Sequence, residues 1–204
     1  MKTKLFCLLL FTVAWGVARE TPKPCCPPEA PPAELTAGAF TAESIYQLEV
    51  GFTADDGAAF TLGRLRARPV ILAMFFASCH FACPLVVADM TRIRDALPVE
   101  LRGRVALVLV SFDPKRDTPA ALHQYRQERL LDGQWILLHG SEDAVRELAA
   151  LLGVKYKQET DGQFAHTNLI SILNAEGEIV HHRMGLRGGL AEAAAALQLA
   201  SGRP

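Results

Sequence analysis

Two stretches of the chain are apolar at every successive position: Val70–Phe76, and the run from Val105 to Val110 inside Arg104–Phe112. A strand with one wet face alternates polar and apolar residues, so unbroken runs of this length predict central strands covered on both faces. Beyond Pro84, Val86, Met90, Ile93 and Leu97 recur at helical spacing until Pro98 stops the pattern. Thr118-Pro119 reads as an N-cap and first helical residue opening a helix to about Leu130. Trp135–Leu138 is a short strand, Ser141 caps a helix that Gly153 ends, and Asn168–Leu173 pairs with Ile179–His182 across Asn174–Gly177. An Ala-rich helix, Gly189–Ala200, closes the pattern. Near its start, Tyr46–Phe52 and Ala58–Leu62 flank Asp55-Asp56-Gly57, a hairpin signal.

Strands alternate with helices early and pair antiparallel late. That order predicts an α/β fold: a thioredoxin-like three-layer sandwich with a mixed central sheet and an N-terminal β-hairpin. Upstream of residue 39 the composition changes. Lys2 and Lys4 precede the apolar run Leu5–Val17, and Gly16-Val17-Ala18 supplies small residues for cleavage, so residues 1–18 read as an export signal. The run has 13 residues, short of the roughly 20 needed to span a bilayer core, though an uncleaved anchor is the other reading. Both place the domain outside the cytoplasm, periplasmic or membrane-associated. Six of the 12 prolines fall within Pro22–Pro32, which favours extended geometry and makes residues 19–38 a tether to the domain at 39–204.

With 21 basic and 22 acidic side chains the chain offers no basic patch for nucleic acid, and 50% apolar content argues against disorder. Cys7 lies in the signal, leaving Cys25, Cys26, Cys79 and Cys83. Four cysteines are too sparse for a disulfide scaffold and point instead to redox or metal chemistry. Cys79-His80-Phe81-Ala82-Cys83-Pro84 stands where a central strand gives way to a helix. Cysteines four apart at a helix entrance share one face near the positive end of the helix dipole, which favours thiolates. This spacing is one residue longer than that of dithiol oxidoreductases and leaves room for a soft metal, which would need a third ligand. His166, after the loop Asp161–Ala165, is the candidate on the opposing side. His80 sits inside the motif with no preferred direction, His123 and His139 read as structural, and His181 and His182 alternate to opposite faces. Cys25-Cys26 reads as an incidental linker pair or as an auxiliary metal or intermolecular disulfide site.

Cys79–Pro84, the segment Asp113-Pro114-Lys115-Arg116-Asp117-Thr118-Pro119 and His166, in that order, make the chain resemble the SCO/SenC family of exported, thioredoxin-like copper proteins over roughly Ala39–Leu199. The resemblance implies copper, as Cu(I) and also Cu(II), bound by Cys79, Cys83 and His166. It also implies a metallochaperone acting in assembly of the copper centre of cytochrome c oxidase. Its partners would be the oxidase subunit carrying that centre, other copper carriers and thioredoxin-like reductants. Asp113 and Asp117 are expected to order the loop rather than bind, since hard carboxylates suit Cu(I) poorly. Family members often carry Asp where this chain has Ala165, which would remove an outer partner of the imidazole. The rival reading is a thiol–disulfide oxidoreductase cycling Cys79 and Cys83 to keep acceptor cysteines reduced. The absence of proline in Ala165-His166-Thr167 favours metal. A peroxidase would need a single peroxidatic cysteine with Thr and Arg beside it, a pattern this chain does not offer.

Overall fold

The computed structural model describes residues 39–201; the predicted signal and tether, with Cys25 and Cys26, lie outside the described residues. The centre of the fold is two parallel strands, β3 (Val70–Phe75) and β4 (Ala106–Ser111), buried at every position as their unbroken apolar runs require. Hydrogen bonding extends them into one seven-stranded sheet. β5 (Trp135–Gly140) adds parallel to β4, and β1 (Phe52–Ala54), paired with β2 (Ala59–Phe60), adds antiparallel to β5. On the other side β8 (Leu169–Leu173) runs antiparallel to β3, and β9 (Ile179–Met184) is the outer strand. Helices α1 (Ala82–Asp95), α2 (Val99–Arg102), α3 (Pro119–Glu128), α4 (Glu142–Leu152) and α5 (Leu190–Ser201) complete a mixed, thioredoxin-like α/β sandwich. Because β8 opposes β3, its first residues share one sheet edge with the last residues of β3 and β4. That edge gathers Cys79–Cys83, Asp113–Asp117 and the approach to His166.

The end signals act as their chemistry dictates. Thr118 and Ser141 accept at N-cap positions from the N–H groups of Ala121 and Ala144, and Gly153 ends α4 in the left-handed region at φ 72°. At the N-terminal hairpin the expected strand Tyr46–Phe52 is displaced: Ile45–Gln47 is a 3₁₀ turn, and the strand starts only at Phe52. Ser44 caps that turn by accepting from the Tyr46 N–H at 3.2 Å, and the Tyr46 ring packs over Gly177, where an added Cβ would lie 2.5 Å from the ring. Tertiary packing overrides the β-propensity of the segment.

Two further differences bear on the site. The segment after α4, expected to be a loop leading straight into a strand, is a separate antiparallel hairpin of β6 (Tyr156–Gln158) and β7 (Phe164–His166), outside the main sheet. Each strand has three residues and little apolar run, below what periodicity can register. Secondly, α1 begins before Pro84 and contains Cys83; a proline in the first turn forfeits no intrahelical bond. On the far side of α1, buried Asp89 pairs with buried Arg183 of β9 at 2.8 Å, and Arg183 also donates to the Gly185 and Gly188 carbonyls. Among the described residues no helix is long and apolar enough to cross a membrane.

Candidate metal centre

β3 delivers the chain to the sheet edge, a turn closed by the Cys79 N–H on the Phe76 carbonyl (3.1 Å) follows, and α1 starts at Ala82. The residue in the capping position, Phe81, has no side-chain bond to the helix. The Cys79 sulfur takes that role, accepting from the Cys83 N–H at 3.4 Å. Both cysteines are buried, Cys79 to 7% exposure and Cys83 to 1%. Their ionisation differs. Burial opposes charge on Cys79, but N–H groups of Cys83, Phe81 and Ala82 outweigh it and hold its pKa below the ordinary thiol value. Burial pushes Cys83 well above that value, with negative charge on Cys79 and Asp117 adding to the effect.

His166 closes β7 opposite Tyr156. Its ring lies 4.9 Å from the Phe112 ring and 6.0 Å from Phe76, centroid to centroid. Nδ1 is 3.2 Å from the Thr167 carbonyl, which can only accept, so Nδ1 carries the proton and the lone pair is on Nε2. Burial lowers the imidazole pKa, partly offset by the Thr167 bond, so the ring is neutral and able to coordinate at neutral pH. One ligand atom from each of Cys79, Cys83 and His166 can be chosen so that all lie within 4.8 Å of one another, the only such group among the described residues. Metal–ligand bonds of about 2.0–2.3 Å place trigonal ligand atoms about 3.5–4 Å apart, so the cluster is open by at most about 1.3 Å relative to a closed site.

The acidic loop lies behind the sulfurs. A single oxygen of buried Asp117 accepts from the Ser111 hydroxyl (2.6 Å) and the Ala77 N–H (2.9 Å), tying the turn after β3 to the end of β4. Burial raises the pKa of this carboxyl. Buried Asp113 takes a hydrogen bond from Arg116, and neither Asp joins the dithiol–imidazole group. His80 is exposed and outside the cluster. His139 Nδ1 donates to the Asp117 carbonyl (3.0 Å), His123 contacts Gln127 and Asp55, and His182 bonds Ser171. Ala165 is exposed between the partly buried Phe164 and His166, and the imidazole Nδ1 has the Thr167 carbonyl as its partner.

Sequence reasoning missed an aromatic wedge beside the centre. Phe76 and Phe112 follow directly after β3 and β4, and Phe164 packs on them at 5.2 and 5.1 Å while Tyr156 stacks on Phe112 at 5.3 Å. The matched Phe residues at the ends of two apolar runs were the available signal; Tyr156 and Phe164 needed the hairpin to be seen.

Fold and site together define a thioredoxin-like domain with a dithiol–imidazole cluster at the carboxyl edge of its central strands. The chain belongs to the SCO1/SenC family, whose profile matches residues 41–198. A candidate copper-binding protein of Stutzerimonas stutzeri is 30% identical over 127 residues, 60% of this chain and 61% of that protein. The chain spans less than two thirds of that relative and of the SCO2-like proteins of Rickettsia conorii and Rickettsia typhi (61%, 63% and 64%). Copper-bound ScoI of Bradyrhizobium japonicum superposes with a TM-score of 0.62 at 25% identity, covering 74% of this chain and 96% of that one. A SCO1/SenC family lipoprotein of Bacillus anthracis gives 0.66 at 21% identity, covering 74% and 92%.

Proposed function

We propose that this chain carries copper on Cys79, Cys83 and His166 and hands it on during assembly of the copper centre of cytochrome c oxidase. The observation that carries the reading is the convergence of two sulfurs and one imidazole nitrogen within 4.8 Å. Copper is cargo here. Two sulfurs and an imidazole make a soft donor set suited to Cu(I), with Cu(II) as a second bound state. Cys79, its pKa lowered by surrounding N–H groups, is the readier of the two to ionise, Cys83 gives up its proton on loading, and Nε2 of His166 presents its lone pair. The copper-bound Bradyrhizobium relative supports the metal, and the Bacillus anthracis lipoprotein supports an exported, membrane-proximal domain. The acceptor would be the oxidase subunit that holds the copper centre, with other copper carriers or thioredoxin-like reductants upstream. The test is anaerobic Cu(I) titration against a chelator of known affinity, using the chain with Cys7, Cys25 and Cys26 changed to Ser. One equivalent should bind, and His166→Ala should weaken it severely. Unchanged affinity in that variant would refute the ligand set.

The asymmetry of the two thiols favours a second reading, reduction of an acceptor disulfide. The Cys79 thiolate would attack the acceptor disulfide and release one acceptor thiol. Cys83, on losing its proton, would then displace the second, leaving a Cys79–Cys83 disulfide and a reduced acceptor. His166 is not needed for that chemistry, so retention of disulfide reduction in His166→Ala, with copper lost, separates the two.

A further inference from the structure

We propose that Arg116 is the positioning residue that holds the His166 hairpin in register with the cysteines; the proposal rests on the copper reading above. An isolated two-stranded hairpin is marginally stable in water, and β6–β7 shares no ladder with the main sheet. Something must press it home. The Tyr156 ring at its base packs on Phe112, and the Phe164 ring in the pair next to the turn packs on Phe112 and Phe76. The turn itself is gripped by Arg116. Its Nε donates to the Asp113 carboxylate, its Nη2 donates to the Gly162 carbonyl, and its guanidinium lies 5.8 Å from the Phe164 ring centroid. Among the described residues, the Gly162 bond is the only hydrogen bond that leaves residues 156–166 for a residue outside 155–167. Gly162 fits the contact twice: its φ of +80° suits glycine, and a Cβ there would lie 3.4 Å from an Arg116 nitrogen.

The far end of the latch is fixed. Buried Asp113 is held by its own N–H on the Ser111 hydroxyl at 2.9 Å, directly at the end of β4. Force therefore runs from β4 through Asp113 and Arg116 to the turn at Gly162 and the outer face of Phe164. Phe164 and His166 lie two apart on one face of β7. A hairpin that lifts at Phe164 takes the imidazole with it, away from sulfurs that do not move. Lysine could keep the charge near Asp113 but could not supply two directed bonds and a planar face together.

The experiment uses the chain with Cys7, Cys25 and Cys26 changed to Ser and compares Arg116→Lys and Arg116→Gln with the parent. Both variants should weaken Cu(I) by about 10–100-fold, the usual loss when a partner outside the ligand set is removed. In a His166→Ala background neither should cause further loss. In the metal-free protein, amide hydrogen exchange should speed up at Glu159 and Gly162, whose N–H groups close the turn, while β3 and β4 amides keep their protection. Full affinity in Arg116→Lys would show that charge alone suffices and overturn the latch. So would continued weakening in the His166→Ala background, or faster exchange spread over β3 and β4. If His166→Ala alone leaves copper affinity unchanged, the copper reading itself fails, a result distinct from failure of the latch.

Discussion

The two halves of the metal centre are built to different standards of rigidity. Cys79 and Cys83 sit between a fully buried strand and the first turn of a helix whose Cys83, Val86, Met90 and Ile93 face the core. His166 stands on a hairpin of three-residue strands, half-buried, held by four aromatic rings and one arginine. The contrast teaches that one side of the site is fixed by the fold and the other by local contacts of modest strength. Under the copper-carrier reading proposed above, such a division would let one ligand leave without disturbing the core.

The comparison can be broken most forcefully at the fixed half. Cys83→Ser should abolish both the copper equivalent and the internal disulfide, read by Cu(I) titration and by alkylation mass. His166→Ala comes next: copper affinity should fall by more than the roughly 10–100-fold cost of an outer partner, while Cys79 and Cys83 still oxidise to a disulfide. Retained copper binding would dissolve the distinction between the halves. A third test compares packing. Met90→Ala, fully buried on α1, should cost about 2–5 kcal/mol in denaturant unfolding. Phe164→Ala on the hairpin should cost about 1 kcal/mol and show itself chiefly as faster exchange near Glu159 and Gly162. Equal losses would mean that the hairpin is part of the global folding unit.

The smallest effect concerns Asp117. Its folded pKa is raised by burial, so its contribution to stability is complete below the unfolded carboxylate value and is lost as pH rises through the folded one. Asp117→Asn keeps an acceptor for the Ser111 hydroxyl and Ala77 N–H, so it should preserve the fold and flatten the slope of stability in the acidic range. Unfolding midpoints measured across pH check this; an unchanged slope would remove Asp117 as its source.

Much of the fixed half was legible in the sequence. Unbroken apolar runs announce β3 and β4, Thr118-Pro119 and Ser141 mark helix starts, and Cys79–Pro84 stands where strand meets helix. These signals are local and strong. The hairpin was not legible, because three-residue strands carry no period and their pairing depends on Phe76 and Phe112, some 40 to 90 residues earlier. His166 could be singled out, but not its surroundings. Arg116 lay in plain view within the Asp-Pro-x-x-Asp-Thr-Pro segment, yet its partner is a backbone carbonyl, which no residue pattern encodes. The first strand was misplaced at Tyr46 for a similar reason: the seat of its ring is Gly177, far along the chain.

The pairing of Asp89 with Arg183 has a mechanical consequence. Two buried charges joined at 2.8 Å, with the guanidinium also committed to two glycine carbonyls, bolt the second turn of α1 to the outermost strand. Sliding or rotating α1 would pull the Asp89 carboxylate from Arg183 and leave it only its neighbour Arg92 on the same helix, and parting a buried pair is costly. The helix is therefore a post and not a piston. A shift of α1 along β9 is resisted at its middle, well away from the cysteines at its first turn.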